Sequence, residues 1–391
     1  MAVQDVVRNL HANASPWTPS GLGSRLSWGA PLKPAPVLSL RHCKAVLDHA
    51  VDDLTITVQA GLPLADLQAQ LADHQQWLPV DWPLGTNLKD ADSAGTESAG
   101  SVGGLVARGL AGGLRHRHLG VRDQIIGIGL IRTDGTEAHA GGRVVKNVAG
   151  YDLMRLLCGS WGSLALISEL TLRVQPIRPA RALLVIHGPL EALEAWRADV
   201  VASTLTPELL NWQCGPEQPL RIQVGIASVS DAAVEDQLSR LRSLAAHHQL
   251  SAEPHPWEGP LPPAETNTTA TPAWLLRLTL APTQIQALFR SAELQALQGW
   301  HWQVTAAAGS GDGWIPTDGS TRSDQLQSLR QRVEALGGRL SVLRQPSART
   351  HAIDPWTDAP SRPLIEAVKR QFDPLQQLNR GRLPGVAHPY G

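Results

Sequence analysis

The sequence predicts an α+β protein of two domains. Three observations point there. At 391 residues the chain is long for a single hydrophobic core. Its first part threads short strand patterns through three glycine-rich segments. Beyond about residue 178 the pattern changes to strands alternating with amphipathic helices.

In the first part, LTITVQAG at 54–61 alternates with strand period and stops at a glycine. The following LADLQAQLADHQQ places Leu64, Leu67 and Leu71 on one helical face. From Gly85 to Gly120 small residues dominate and glycines pair at 103–104 and 112–113. An interior glycine costs a helix roughly 1 kcal/mol relative to alanine, so this stretch reads as ordered loop. QIIGIGLIRTDGTEAHA predicts a hairpin turning at Asp134-Gly135. In KNVAGYDLMRLLCGSWGSLALISELTLRV, Asp152 is placed to cap the helix DLMRLLC and Gly159 to close it. Gly162 then opens the strand SLALISELTLRV.

The second part holds RALLVIH, LEALEAWRADV, RIQVGIA and DAAVEDQLSRLRSLAAHH, the last with Val234, Leu238, Leu241 and Ala245 on one face. After a Pro/Thr-rich stretch at 252–272 a similar set follows: WLLRLTLA, TQIQALFRSAELQAL, HWQVTAAAG, DQLQSLRQRVEALGG and RLSVLR. The pattern reads as an internal duplication, βαβα twice, in one α+β layer.

Bulk composition excludes several functions. Apolar residues make up 42% and charged residues 18%, with a formal net charge of −1 and no basic block. No nucleic-acid surface is expected, since neutralising phosphates needs clustered Lys and Arg. Cys43, Cys158 and Cys214 lie far apart, so no metal site is expected from them. The opening MAVQDVVRNLHAN carries Asp5 and Arg8 without a long apolar run, unlike a secretory leader. No apolar run approaches the roughly 20 residues of a membrane span, so no direct span is expected.

Three motifs remain. Gly21-Leu22-Gly23-Ser24-Arg25 reads either as a loop whose amides approach a phosphate or as a surface turn. It lacks the third glycine of a dinucleotide fingerprint and the Gly-Lys-Ser/Thr ending of a P-loop. Ser101-Val102-Gly103-Gly104, continuing past Gly112 to His118 and Gly120, is a backbone stripped of Cβ atoms that a flat or charged ligand could touch, or else a plain loop. Gly150 and Tyr151, just before Asp152, are left over once cap, helix and strand are accounted for. Three glycine-rich segments spread over about 140 residues suggest one extended ligand of dinucleotide length.

Taken together, SVGGLVARGLAGGLRHRHLGVRDQIIGI, GGRVVKNVAGYDLMRLLCGSWGSLALISELTLRV and the terminal FDPLQQLNRGRLPG resemble the FAD-binding proteins of the vanillyl-alcohol oxidase (PCMH) type. More narrowly they resemble the FAD-binding subunits of glycolate oxidase, or glycolate dehydrogenase. The resemblance implies a two-subdomain PCMH-type FAD-binding fold over residues 1–178. An α+β cap with an antiparallel sheet follows over 179–371, then a tail, 372–391, that returns to the FAD domain. It implies that Gly21, Gly23, Ser24 and Arg25 hold the FAD pyrophosphate, with Ser101, Val102, Gly103 and Gly104 on its other side. Gly112, His118 and Gly120 would run beside the ribityl chain and flavin, and Gly150, Tyr151 and Asp152 would shape the flavin end. The backbone at Leu166 and Ile167 would meet the adenine side. No histidine flanks the first glycine loop, so the implied FAD is non-covalent.

The sequence departs from the family at several points. The glycine loop begins early, Ala107-Arg108-Gly109 stands for Ala-Thr-Asn, His118 stands for a tyrosine, and Arg380 for a proline. The histidines of the second part (His187, His247, His248, His255, His301) lack the family's catalytic spacing, and no catalytic residue is assigned. Arg173, Arg178 and Arg181 could take a carboxylate or form surface ion pairs. The implied function is that of the FAD-binding subunit of a glycolate (2-hydroxy acid) dehydrogenase complex, with a catalytic flavoprotein and an iron–sulfur subunit as partners. The implied location is cytoplasmic, or at the inner membrane through those partners. The alternatives are a cofactor-poor structural subunit and a stand-alone FAD oxidase of another hydroxy acid such as D-lactate.

Overall fold

A computed structural model describes residues 2–81, 100–142, 152–257, 273–316, 321–346 and 352–389. The first part is organised on a five-stranded antiparallel sheet in the order Val46–Ala50, Thr55–Gln59, Leu166–Arg173, Ile125–Ile131, Glu137–Gly141. Thr18–Ser20 and Val37–Ser39 form a separate parallel pair. The predicted hairpin is present, with Gly135 at φ +79° in its turn. The helix Leu64–Ala72 buries Leu64, Leu67 and Leu71. Asp152 caps Leu153–Leu157 by accepting from the Arg155 amide at 3.3 Å.

The expectation of loop throughout 85–120 is corrected at Val102–Arg108, which is a helix despite two interior glycines. Its N-terminal amides are all satisfied. Val102 N donates to Leu62 O at 2.9 Å and Gly103 N to Ala60 O at 2.8 Å. Gly104 N donates to Oγ of the N-cap Ser101 at 3.1 Å. A Cβ on Gly103 would stand 2.7 Å from the Ala60 Cβ, so this glycine lets the helix lie directly on the chain leaving strand Thr55–Gln59. Leu105 and Val106 are fully buried, and their burial outweighs the propensity cost. Gly109, at φ +63°, closes the helix.

The second part is one eight-stranded antiparallel sheet. Ala180–His187, Leu209–Gly215, Gln218–Ser228 and Ser251–His255, with helices Leu190–Ala202 and Asp231–His247, make one βαββαβ unit. Trp274–Thr279, His301–Thr305, Ser310–Ile315 and Arg339–Arg344, with helices Ile285–Phe289, Ala292–Gln295 and Ser323–Ala335, make another. Across the sheet the two units run as mirror sequences of strands, joined where Leu209–Gly215 pairs with His301–Thr305. Each unit thus holds two more strands than the βαβα that the periodicity predicts, and the two units share one topology. Trp196, Trp212 and Trp274 are wholly buried in its core.

The tail returns to the first part. Trp17 N donates to Gln377 O at 2.9 Å and Asn379 N to Trp17 O at 3.1 Å. Leu378 belongs to the same hydrophobic cluster as Val7, Trp17 and strand Leu166–Arg173.

Candidate functional site

An open cleft, about 740 Å³ including its solvent-filled mouth, lies between the loop after Thr18–Ser20, the helix Val102–Arg108 and the segment Trp161–Ile167. It gathers nine of the residues singled out from sequence: Gly21, Gly23, Ser24, Arg25, Ser101, Gly103, Gly104, Leu166 and Ile167. Gly21 is required by close approach, since a Cβ there would fall 2.0 Å from Ser101 Oγ. Gly23 has φ +83°. Among the described residues, none accepts from the amides of Leu22, Gly23 or Ser24. These donors form a concave run suited to anionic oxygens. The amides of Gly103 and Gly104 are already engaged; Gly103 packs on Ala60, and Gly104 offers the cleft a bare surface.

The other sequence-predicted residues lie elsewhere. Val102 is wholly buried beneath the helix. Gly112 donates to Asp81 O at 2.6 Å, and its carbonyl accepts from Thr305 Oγ1 at 3.4 Å. His118 places Nε2 3.2 Å from Glu208 Oε1 and sets its ring edge against Trp77. Gly120 donates to Asp123 Oδ2 at 3.1 Å. Asp152 is an exposed cap, ion-paired with Arg155 at 2.9 Å. Gly150 and Tyr151 lie outside the described residues.

The polar and aromatic cleft residues Arg108, Trp161, Asn379 and Arg382 were among those not singled out as ligand contacts from sequence. The Arg108 guanidinium lies 4.1 Å from the Trp161 ring centroid and that of Arg382 lies 5.9 Å from it. Arg108 Nη2 donates to Arg25 O at 2.7 Å, and Arg382 donates to Ala30 O and Leu26 O at 2.8 and 2.9 Å. Asn379 Nδ2 donates to Trp161 O at 2.6 Å. Burial first, then the neighbouring Arg382 and Arg25, holds Arg108 well below the usual arginine range. Burial pushes Arg382 down to about 10. The sequence signal for this cluster is the arginine at 108, where the resembled family carries an uncharged residue.

A second charged cluster lies where the two sheets' domains meet. Arg277 clasps Asp312 through Nη1 at 3.0 and 2.9 Å and donates to the Ala111 carbonyl. Burial pushes Asp312 up to about 6, opposed by Arg277 and reinforced by Asp81, which burial also raises. A Cβ on Gly113 would meet the Asn211 side chain at 2.4 Å. The segment Ala111–Leu114 is thus pressed against the eight-stranded sheet. Burial pushes the Cys158 thiol up to about 11, which leaves it unreactive. Among the described residues, no group of three or more His, Cys, Asp or Glu side chains could hold a metal ion. Nor is any helix among them long and apolar enough to cross a membrane.

The free loop amides, the bare backbone at Gly104 and the basic side chains make a cleft suited to an anionic ligand. Residues 1–141 match the FAD binding domain family, which indicates FAD as the cofactor. The chain is 31% identical over 215 residues to glycolate oxidase subunit GlcE of Escherichia coli (strain K12), covering 55% of each. It is 29% identical over 201 residues to glycolate oxidase subunit GlcD of Bacillus subtilis (strain 168), covering 50% of this chain and 40% of that one. Over 272 residues it is 33% identical to a D-lactate dehydrogenase of Anaerostipes hadrus, covering 64% of this chain and 54% of the relative. The match spans about half the length of such relatives. A solved structure of alkyldihydroxyacetonephosphate synthase superposes over 96% of this chain and 74% of its own, with a TM-score of 0.68 at 12% identity. That likeness carries the fold: a PCMH-type FAD-binding domain beside an α+β domain with an antiparallel sheet.

Proposed function

We propose that the chain is the FAD-binding subunit of a 2-hydroxy acid dehydrogenase complex of the glycolate oxidase kind. The observation that carries this reading is the cleft in which the Gly21–Arg25 loop faces Ser101–Gly104 and Leu166–Ile167. Similarity to FAD-linked oxidoreductases that act on glycolate and D-lactate supports it. Bound FAD would supply the two-electron acceptor for hydroxy acid oxidation. The amides of Leu22, Gly23 and Ser24 bind the diphosphate. Gly21 lets the loop close on Ser101, the wall at Gly104 admits the ligand by lacking a Cβ atom, and Asn379 and Trp161 hold the C-terminal segment against it.

The contact between Ala111–Leu114 and the eight-stranded sheet favours a division of labour. Arg277, Asn211 and Thr305 fill the space over that segment, so substrate oxidation falls to a partner flavoprotein. Electrons pass onward to an iron–sulfur subunit, and the whole is cytoplasmic or held at the inner membrane by its partners. The test is isolation of the chain from native lysate with its companions, followed by acid extraction of flavin and assays with glycolate and D-lactate. Flavin together with flavoprotein and iron–sulfur companions is the expected result. Companions without flavin on this chain would make it a structural subunit. Flavin with turnover by the chain alone would make it a self-sufficient oxidase.

A further inference from the structure

We propose that the cavity behind the C-terminal wall of the cleft is a binding site for a small organic carboxylate. Arg380, with Arg370, takes the charged head, and occupancy is coupled to the cofactor cleft through Asn379 and Arg382. The coupling rests on the flavin reading; the site itself does not.

The cavity, about 310 Å³, lies between the last turn of helix Arg362–Phe372 and the chain over 374–389. Four cations line it, Lys369, Arg370, Arg380 and Arg382, against one carboxylate, Glu366. Glu366 accepts from Arg362 Nε at 2.9 Å, and Lys369 is matched by Asp373. Arg380 Nε donates to Gln376 O at 2.8 Å, and among the described residues nothing accepts from its two terminal nitrogens. Arg370 is exposed and has no hydrogen-bond or ion-pair partner among them. Burial, opposed by Asp373 and reinforced by Arg380, lowers Lys369 below the usual lysine range, so a second cation stands close to the Arg380 guanidinium. A guanidinium anchored at Nε keeps its remaining donors in one plane, the geometry that meets a carboxylate bidentately. Leu378 and Leu383, both buried, together with Pro374 and Pro389 make the rest of the lining apolar. An inorganic anion leaves that surface uncovered, whereas an organic body covers it.

The wall facing the cofactor is shared, because Asn379 and Arg382 line both spaces. Asn379 holds the Trp161 carbonyl, and Arg382 holds those of Leu26 and Ala30. Gln376 and Asn379 both have left-handed backbone, at φ +53° and +46°, a conformation that is costly outside glycine and clusters at functional sites. A carboxylate held by Arg380 braces this bent segment, which carries both cleft residues.

The experiment titrates the full-length chain, with and without FAD, using benzoate, the neutral benzamide and inorganic phosphate as probes. Affinity is read by calorimetry, stability by thermal melting and FAD release by the change in flavin fluorescence. Benzoate is expected to bind wild type and raise its Tm, with benzamide and phosphate binding more weakly. Arg380→Gln should weaken benzoate by about tenfold, which corresponds to about 1.4 kcal/mol, and Arg380→Lys should recover part of that loss. Benzoate should slow FAD release, and by linkage FAD should tighten benzoate by the factor with which benzoate tightens FAD. Should Arg380→Gln fail to fold, Arg370→Gln carries the same comparison. Equal benzoate affinity in wild type and both Gln variants, or benzamide binding as tightly as benzoate, overturns the site. Benzoate affinity that FAD leaves unchanged overturns the coupling. Arg380-dependent benzoate binding by a chain that takes up no flavin upholds the site and removes the flavin reading, and the coupling with it.

Discussion

Gly103 and Gly104 are adjacent in the chain but meet different surroundings. A Cβ on Gly103 would stand 2.7 Å from the Ala60 Cβ and 2.8 Å from its carbonyl oxygen, neither of which can yield cheaply. Gly103→Ala should therefore destabilise the protein by about 1–3 kcal/mol, seen as a lower urea midpoint. On Gly104 the nearest atom to a Cβ is Ser101 Oγ at 3.2 Å, and the position faces the cleft. Gly104→Val should leave that midpoint nearly unchanged, because gained helix propensity offsets the crowding of Ser101. It should nevertheless lose flavin, checked by absorbance of the purified chain. From sequence the two glycines were indistinguishable, both being candidates for ligand approach. What separates them is which neighbour the tertiary fold brings to each Cα, and no local pattern encodes that. Arg108 was legible only as a departure from a family pattern, because its place beside Trp161 and Arg382 depends on segments more than 50 and 270 residues away.

At the scale of elements, the segment after the C-terminal helix Arg362–Phe372 lines the cleft through Asn379 and Arg382. Lys369 Nζ donates to Ser163 O at 2.8 Å and to Leu378 O at 3.0 Å, and pairs with Asp373. Asp373, wholly buried, accepts in turn from the amides of Gln377 and Leu378 at 2.9 and 2.8 Å. Lys369→Met removes the only cation in that bond set and strands a buried carboxylate. It should cost about 3–5 kcal/mol in thermal unfolding, and it should also slacken the segment bearing Asn379 and Arg382, speeding release of bound flavin. Ser251–His255, read as the start of the Pro/Thr-rich stretch, is an edge strand of the sheet; two other strands missed from sequence, Leu209–Gly215 and Ser310–Ile315, share a cause. Asn211 and Gln213 are buried polar residues, and Gln213 is satisfied by Gln223 at 2.9 Å. SGDGWI carries three small residues and a buried Asp312 whose partner, Arg277, lies on another strand. Neither stretch shows alternating apolar residues, and the buried Gln213 and Asp312 are satisfied by tertiary partners rather than by solvent. The long amphipathic helix Asp231–His247, packed by ordinary apolar residues, was read correctly face by face.

For the whole molecule, the buried trio Asp81, Arg277 and Asp312 links domain docking to pH. Asp312 is raised by burial from the ordinary 3.8 to about 6, so the native chain binds that proton more tightly than the unfolded chain does. The resulting stabilisation is full below about pH 4 and is lost as pH rises through about 6. Asp312→Asn should remove this component, flattening the decline in Tm between about pH 4 and 6 relative to wild type. The overall plan, glycine-rich domain first and duplicated layer second, was legible because it depends on composition and period. The docking of one upon the other was not, since it is made by single residues far apart in sequence. Those residues fall in one place. Asn211 and Thr305 face each other across the junction between the two βαββαβ copies, and the segment Ala111–Leu114 rests on both. The junction between two units of like topology is therefore also where the glycine-rich part of the chain is anchored. Away from that junction each half is free to drift in sequence independently. On it, a change in either half loosens the grip of both on the cofactor domain, so the two halves remain one unit of selection.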